Sequence, residues 1–244
     1  MADIPFISVV IPVYNDAEGL KRAVPESIRV LDRLGYSFEI LIVEDASTDG
    51  SLETANGFAT EDTRIRVNHS EARRGKGGAL SDALADSRGN IFCFYDVDLS
   101  TDLKHLAEMI SRIRNGDDVV IGSRMIKGSD VVRSDKRELA SRGYNTLITI
   151  LLGSKITDHQ CGFKAFKKEK LDAIMPYVKA RGWTWDTEVL TLAERCHYTI
   201  SEIPVVWKQG KKTNIRQKDI ILMGWGVLKL ACRLRILRRY PKVN

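Results

Sequence analysis

Two carboxylates stand one residue apart in the run Phe94-Tyr95-Asp96-Val97-Asp98-Leu99-Ser100. Strand-compatible residues 90–94 lead into them, and Ser100-Thr101-Asp102 follows as a helix-opening signal. The acids therefore fall at the C-terminal end of a strand, the edge at which open parallel α/β sheets bind ligands. Asp-x-Asp on a turn there offers hard oxygens to one divalent cation such as Mg2+ or Mn2+. The competing reading is a helix N-cap built from acids. Whether the rest of the chain supplies a nucleotide pocket decides between the two.

Other stretches carry chemistry at comparable positions. Glu44-Asp45-Ala46-Ser47-Thr48-Asp49-Gly50 closes another apolar run, so acids again follow a strand. Arg73-Arg74-Gly75-Lys76-Gly77-Gly78 precedes an Ala-rich helix over residues 79–87, and its amides and Lys76 can face an anion at the helix N-terminus. A solvated loop is the alternative for Lys76, and the spacing is not that of a Walker A loop. Gly122-Ser123-Arg124 ends a further strand, while Arg137, Ser141 and Asn145 recur every four residues on one helix face. Asp186 and Glu188 open a helix, where capping competes with a chemical role. His159 has no second His or Cys at ligand spacing and reads as a packed or solvated residue.

The elements that must position these groups alternate. Residues 6–13 are a near-continuous apolar run, as expected of a strand buried on both faces. A helix over 17–34 follows, with Pro25 starting or kinking it and Gly35 ending it. Strands are expected at 38–43, 64–67, 90–94 and 118–121, with helices at 51–58, 79–87 and 102–115 between them. All load polar residues on one edge, which makes a parallel α/β sheet the best architecture. After Arg124 the rhythm changes: 125–135 reads as a mobile polar loop, 137–152 and 186–196 as helices, and 161–166 and 200–207 as strands. Pro204 suits an edge position.

The 244 residues suffice for one large α/β domain, and no repeat or low-complexity tract suggests an array. Cys93, Cys161, Cys196 and Cys232 lack C-x-x-C spacing and read as buried free thiols in a reducing compartment. Met1-Ala2-Asp3-Ile4-Pro5 has no basic n-region and no long apolar h-region, so no secretory signal is expected. The net charge of +6 is segregated: residues 207–244 hold eleven Lys and Arg against the single acid Asp219. Such a tail points to an anionic surface, lipid or nucleic acid. Residues 219–237 are apolar but interrupted by Lys229, Arg233 and Arg235, too broken to span a bilayer. With Lys218, Lys229 and Arg233 within about 60° on a helical wheel and Trp225 as an aromatic anchor, an interfacial amphipathic helix fits better.

In combination, Val10-Ile11-Pro12-Val13-Tyr14-Asn15, Glu44-Asp45-Ala46-Ser47-Thr48-Asp49, Asp96-Val97-Asp98 and Gly122-Ser123-Arg124 resemble the family-two glycosyltransferases of the GT-A fold. The likeness covers residues 6–208. Arg74-Gly75-Lys76-Gly77-Gly78-Ala79, Asp158-His159-Gln160-Cys161-Gly162-Phe163-Lys164 and Trp183-Thr184-Trp185-Asp186-Thr187-Glu188 are similar to the glucose-type branch of the enzymes that load a sugar onto a polyprenyl phosphate. The resemblance implies a Rossmann-like GT-A domain over 1–213, with a mainly parallel central sheet, and a basic amphipathic membrane-associating segment over 214–244.

Carried across, it implies that Pro12, Tyr14 and Asp45 hold the nucleobase of a nucleotide-sugar donor, Tyr14 by stacking and Asp45 by accepting from a base N–H. Lys76 and Asp96 would bind the nucleotide. Asp96 and Asp98 would carry the metal, Mg2+ or Mn2+, and Arg124, Arg137 and Ser141 would take phosphate oxygens of the polyprenyl phosphate acceptor. Glu44 stands where many relatives have Asp, and Ser100 where some have a third metal ligand. A phosphate acceptor is already an anion near pH 7, so Asp186 reads as an orienting carboxylate, and as a general base only if the acceptor is an alcohol. Trp183 and Trp185 suit a core and helix staple as well as a sugar platform. Lys211, Lys212 and Arg216 form a solvated loop or close over the donor.

The implied activity is an inverting transfer of a hexose, glucose favoured, from a UDP-sugar to dolichyl or another polyprenyl phosphate by a peripheral enzyme at the cytoplasmic membrane face. GDP-mannose as donor, or a soluble enzyme with an alcohol acceptor, are the alternatives, and a catalytically dead nucleotide-sugar binder or a nucleic-acid-binding module is the reading from another class. No nucleic-acid partner is expected, because the tail lacks a reading motif and an acidic cleft repels phosphates. The sequence carries no signal for an oligomeric state.

Overall fold

Apolar alternation on two faces builds the sheet. In the computed structural model, which describes residues 4–210 and 217–236 apart from the side chains of 217–221, 235 and 236, the elements run β1 Ile7–Val13, α1 Ala17–Leu34, β2 Phe38–Asp45, α2 Ser51–Glu61, β3 Ile65–Ser70, α3 Lys76–Asp86 and β4 Ile91–Tyr95. Then follow α4 Leu106–Arg114, β5 Val119–Ser123, β6 Asp130–Val132, α5 Asp135–Leu152, β7 Phe163–Lys167, α6 Lys168–Ile174, α7 Trp185–Arg195, β8 Ile200–Pro204, β9 Val206–Lys208 and α8 Gln217–Ala231. Lys211, Lys212, Arg216, the Lys218 side chain and the tail beyond 236 lie outside the described residues.

A seven-stranded sheet has the order β3-β2-β1-β4-β7-β5-β8, and all neighbours are parallel except β7, which runs against both β4 and β5. The mainly parallel α/β architecture expected from the sequence is therefore the one observed. Successive strand residues point to opposite faces: Val9, Ile11, Cys93 and Tyr95 join a core under α1 and α4, while Val10, Phe92 and Phe94 join a second core under α3, α7 and α8. The strand order reverses direction at β1 and β4, so the crevice outside their C-terminal ends is the topological switch point.

Several elements differ from expectation. Pro25 lies inside a continuous α1, on its exposed side, where the carbonyl it leaves unbonded can meet water. Helix α3 begins at Lys76, three residues before the expected start. Gly77 and Gly78 looked like loop residues, but they belong to the first turn: a Cβ on Gly77 would collide with the Cβ of Trp185. The run 200–207 splits at Val205, with β8 on the sheet edge, as Pro204 suggested, and β9 in a separate pair with β6. Residues 125–135 are thus not a plain loop. Cys93, Cys161 and Cys196 are buried, whereas Cys232 is exposed.

The segment after residue 216 packs onto the domain. Met223, Val227, Leu230 and Leu234 are buried, the last three in the second core, and α8 lies against α5. Leu222, Trp225 and Leu228 stay exposed on the opposite side of α8. Arg233, expected on a basic stripe with Lys218 and Lys229, instead forms an ion pair with buried Glu188. Among the described residues no helix is long and apolar enough to cross a membrane.

Candidate active site

The loops that leave β1, β2 and β4 meet at the switch point, and their backbones are strained there. Asn15, Ala46 and Leu99 adopt φ values of 52°, 61° and 52°, a left-handed conformation that costs Ala and Leu about 1–3 kcal/mol. In the β4 turn, Asp98 accepts hydrogen bonds from the Ser100 amide at 2.9 Å and the Ser100 hydroxyl at 2.7 Å. Ser100, at the position expected to bear a third metal ligand in some relatives, here holds the Asp98 carboxylate in place. Burial and the charge of Asp96 push the Asp98 carboxyl above its usual range; a cation between the two acids relieves that repulsion.

Asp96 is half exposed to the cleft. Its backbone amide donates to the Gly162 carbonyl at 3.1 Å, and its side chain lies so close over Gly162 that a Cβ there would collide with Oδ2. Lys76 Nζ donates to Asp96 Oδ1 at 2.7 Å, so Lys76 belongs to the acid turn and not to a solvated loop. Burial would lower the pKa of that ammonium, but the charges of Asp96 and Asp186 outweigh burial and raise it.

Asp45, the last residue of β2, holds the loop before α3. Oδ1 accepts from the Arg74 amide at 2.7 Å and Arg74 Nε at 3.3 Å, and Oδ2 from the Gly75 amide at 2.9 Å, which leaves Oδ2 a further lone pair. Arg73 stacks its guanidinium 3.6 Å from the centre of the Tyr14 ring. Tyr14 and partly buried Pro12 thus sit beside Asp45 at the ends of neighbouring parallel strands. Glu44 is buried between the Ser47 amide and His69 Nδ1, each at 2.5 Å. Burial would raise its pKa, but these partners hold it below the usual range.

On the other side of the acid turn, Arg124 grips fully buried Asp158 through Nε at 2.7 Å and Nη2 at 2.8 Å. Burial would raise the Asp158 pKa, but Arg124 keeps it well below the usual carboxylate range. On α5, Asn145 accepts from the His159 amide at 3.1 Å, which turns the Arg137, Ser141 and Asn145 face toward the Asp158 segment. The Arg137 side chain has no partner among the described residues, and the buried Ser141 hydroxyl has none either. His159 is bracketed by Asn145 Oδ1 and Ser154 Oγ, and burial pushes its pKa down to about 3, so it is a neutral packing residue.

Asp186, at the start of α7, receives Lys164 Nζ at 2.6 Å, and the same ammonium donates to the Cys161 carbonyl at 2.6 Å. Lys164 is the group that reading the sequence passes over. Its signal was a lysine inside the apolar run 161–166, where a buried ammonium must have an anionic partner. Glu188 instead accepts from the amides of Lys179 and Ala180 and from Arg233, a structural clamp. Trp185 is core, with its indole N–H donating to Ser81 at 2.9 Å, while partly buried Trp183 faces Lys76 at 6.0 Å.

The C-terminal part of β9 links the two halves: the Lys208 amide donates to the Ser100 carbonyl at 2.8 Å, and β9 pairs with β6. No cluster of three or more His, Cys, Asp or Glu suited to a metal exists among the described residues. Asp96 and Asp98 alone fit a hard cation whose remaining positions are filled by ligand oxygens and water.

The fold is that of the GT-A glycosyltransferases: it superposes on glucosyl-3-phosphoglycerate synthase of Mycobacterium tuberculosis, solved with Mn2+, UDP and phosphoglyceric acid, with a TM-score of 0.69 at 20% identity, over 98% of this chain and 80% of that one. The Glycosyl transferase family 2 profile matches residues 8–175, and the chain belongs to that family. Glycosyltransferase AglD of Haloferax volcanii is 39% identical over 241 residues, 96% of this chain but 39% of AglD. The dolichyl-phosphate beta-glucosyltransferase of Saccharomyces cerevisiae is 34% identical over 226 residues, 84% of this chain and 67% of that enzyme.

Proposed function

We propose that the chain transfers glucose from UDP-glucose to dolichyl or a related polyprenyl phosphate, with inversion. The observation that carries this is the division of the cleft by the β4 turn. A nucleotide-type pocket (Pro12, Tyr14, Asp45) lies on one side; on the other lies a basic face of Arg124, paired with Asp158, and of Arg137 and Ser141, whose donors have no partner among the described residues. The likeness to dolichyl-phosphate beta-glucosyltransferases supports the acceptor and the sugar.

In this reading Tyr14 stacks on the base, Asp45 accepts from a base N–H and Lys76 neutralises the diphosphate. Asp96 and Asp98 hold Mg2+ or Mn2+, which when bound stabilises the charge that develops on the departing diphosphate. The acceptor phosphate oxygen attacks the anomeric carbon as the bond to the UDP oxygen breaks, and the electron pair leaves with UDP. A phosphomonoester has a second pKa near 6 and needs no base. Consistently, Asp186 is tied to Lys164 and orients rather than accepts a proton. The β-linkage in the relatives' names, set against an α-linked donor, supports a single displacement. Exposed Leu222, Trp225 and Leu228 on α8 suit contact with the membrane that carries such an acceptor, on its cytoplasmic face.

Purified protein incubated with Mn2+, UDP-glucose and dolichyl phosphate yields a β-linked glycolipid, and Asp98→Asn abolishes it. Transfer from GDP-mannose instead would overturn the donor assignment. No glycolipid from either donor would overturn the function.

A further inference from the structure

Arg133 follows β6 and carries a buried guanidinium whose charge is poorly compensated. Its side chain is 4% exposed, yet Nε meets no hydrogen-bond acceptor among the described residues. The Glu138 carboxylate stands 3.9 Å away on a side chain 41% exposed, and Nη2 reaches only Met125 Sδ at 3.7 Å. A planar fork with five donors rarely stays buried on such terms. Burial, then the neighbouring charge of Arg124, pulls the Arg133 pKa down. The anion that could separate the two guanidiniums is already committed, because Asp158 binds Arg124 through its amide, Nε and Nη2.

A second unpaired donor stands on the adjoining helix. Ser141 Oγ is buried without a partner among the described residues, one turn beyond Glu138 on α5, on the face that meets the Asp158 segment through Asn145 and His159. Two arginines of like charge and a serine hydroxyl thus share this stretch with the Glu138 carboxylate, which comes no closer to Arg133 than 3.9 Å. The position of this stretch beyond β9 sets it on the acceptor side of the acid turn.

We propose that Arg133 is a phosphate-binding residue: with Ser141 and the remaining edge of Arg124, it takes the phosphomonoester of the acceptor. The assignment rests on the proposed transfer to a lipid phosphate and adds to it a group that reading the sequence left in a mobile loop. Phosphate oxygens reach this cleft from two sources, the acceptor and the donor diphosphate, and the assignment is to the acceptor.

The test compares Arg133→Gln, Arg133→Lys and wild type in thermal unfolding and kinetics. Farnesyl phosphate is expected to raise the melting temperature of wild type, farnesol is not, and the shift disappears in R133Q. The KM for dolichyl phosphate rises about tenfold or more in R133Q, the scale of one lost charged hydrogen bond, while UDP binding by calorimetry stays within about twofold. R133K recovers part of the loss. Because only a 3.9 Å ion pair to part-exposed Glu138 and a contact with Met125 Sδ offset the burial of the guanidinium, R133Q alone melts no lower than wild type; a structural role predicts the opposite, and a lower melting point restored by R133K would overturn the proposal. Loss of UDP binding with an unchanged acceptor KM would assign Arg133 to the donor and also overturn it. Wild type that makes no glycolipid refutes the proposed function, but the farnesyl phosphate shift still decides the role of Arg133.

Discussion

Replacing Lys164 by Met tests the charge arrangement beneath the cleft. Lys164 Nζ and Asp186 Oδ1 lie 2.6 Å apart, with side chains 0% and 7% exposed. At an effective dielectric constant of 20 such a pair attracts by about 6 kcal/mol, a gain largely offset by the several kcal/mol lost when each ion leaves water. The intact pair is therefore nearly neutral for stability, but removing one partner strands the other. Lys164→Met leaves the buried Asp186 carboxylate and the Cys161 carbonyl without their donor and should destabilise the fold by about 3–5 kcal/mol. The double variant K164M/D186L removes both charges and should recover most of that loss. Urea denaturation of wild type, K164M, D186L and the double variant closes the cycle. K164M within about 1 kcal/mol of wild type would show that Asp186 does not depend on Lys164 for compensation, and the reasoning would fail.

Three further outcomes are expected. Gly162→Ala drives a methyl group into Asp96, so kcat/KM should fall by about 100-fold or more while far-UV circular dichroism stays native; unchanged kinetics would mean that Asp96 does not work from its observed position. His159 is held near pKa 3 when folded, against about 6.5 unfolded. As pH falls below about 6.5 the unfolded chain takes a proton that the folded one refuses, so stability drops by up to about 1.4 kcal/mol per pH unit until about pH 3. His159→Gln should flatten that slope between pH 7 and 5 in urea titrations, and an unaltered slope would refute the assignment. Leu222→Ser with Trp225→Ser should shift stability little, as both are exposed, yet reduce flotation with anionic vesicles about tenfold; full flotation would place the membrane contact elsewhere.

What could be read in advance follows from the range of the interactions concerned. Strands β1, β2 and β4 announce themselves because burial on both faces demands runs dominated by Val, Ile and Phe, and the acid turn is visible because it directly follows one of them. Ala46 and Leu99 gave no warning of left-handed backbone, which neither residue favours. The start of α3 was hidden because Gly77 is chosen for contact with Trp185, a hundred residues away, and Gly78 for close approach of Arg74 and Arg181, rather than for a turn. Lys164, Arg133 and the Glu188–Arg233 pair depend on partners brought together by the fold. Local pattern could not reveal them.

The antiparallel β7 also governs how the chain can assemble during synthesis. It is the strand that joins β4 to β5, yet its first residue is made some 40 residues after β5 ends. At about 5–20 residues per second the ribosome leaves that gap open for about 2–8 s. Through this interval β1 to β4 can pair and collapse, while β4 presents an unpaired edge and β5 waits without a neighbour. The residues that will flank Gly162 thus come together only after this interval, and the acid turn gains the hydrogen bond between Asp96 and Gly162 only when β7 slides into place. A nascent chain stalled between residues 123 and 163 should be the most aggregation-prone species on the pathway.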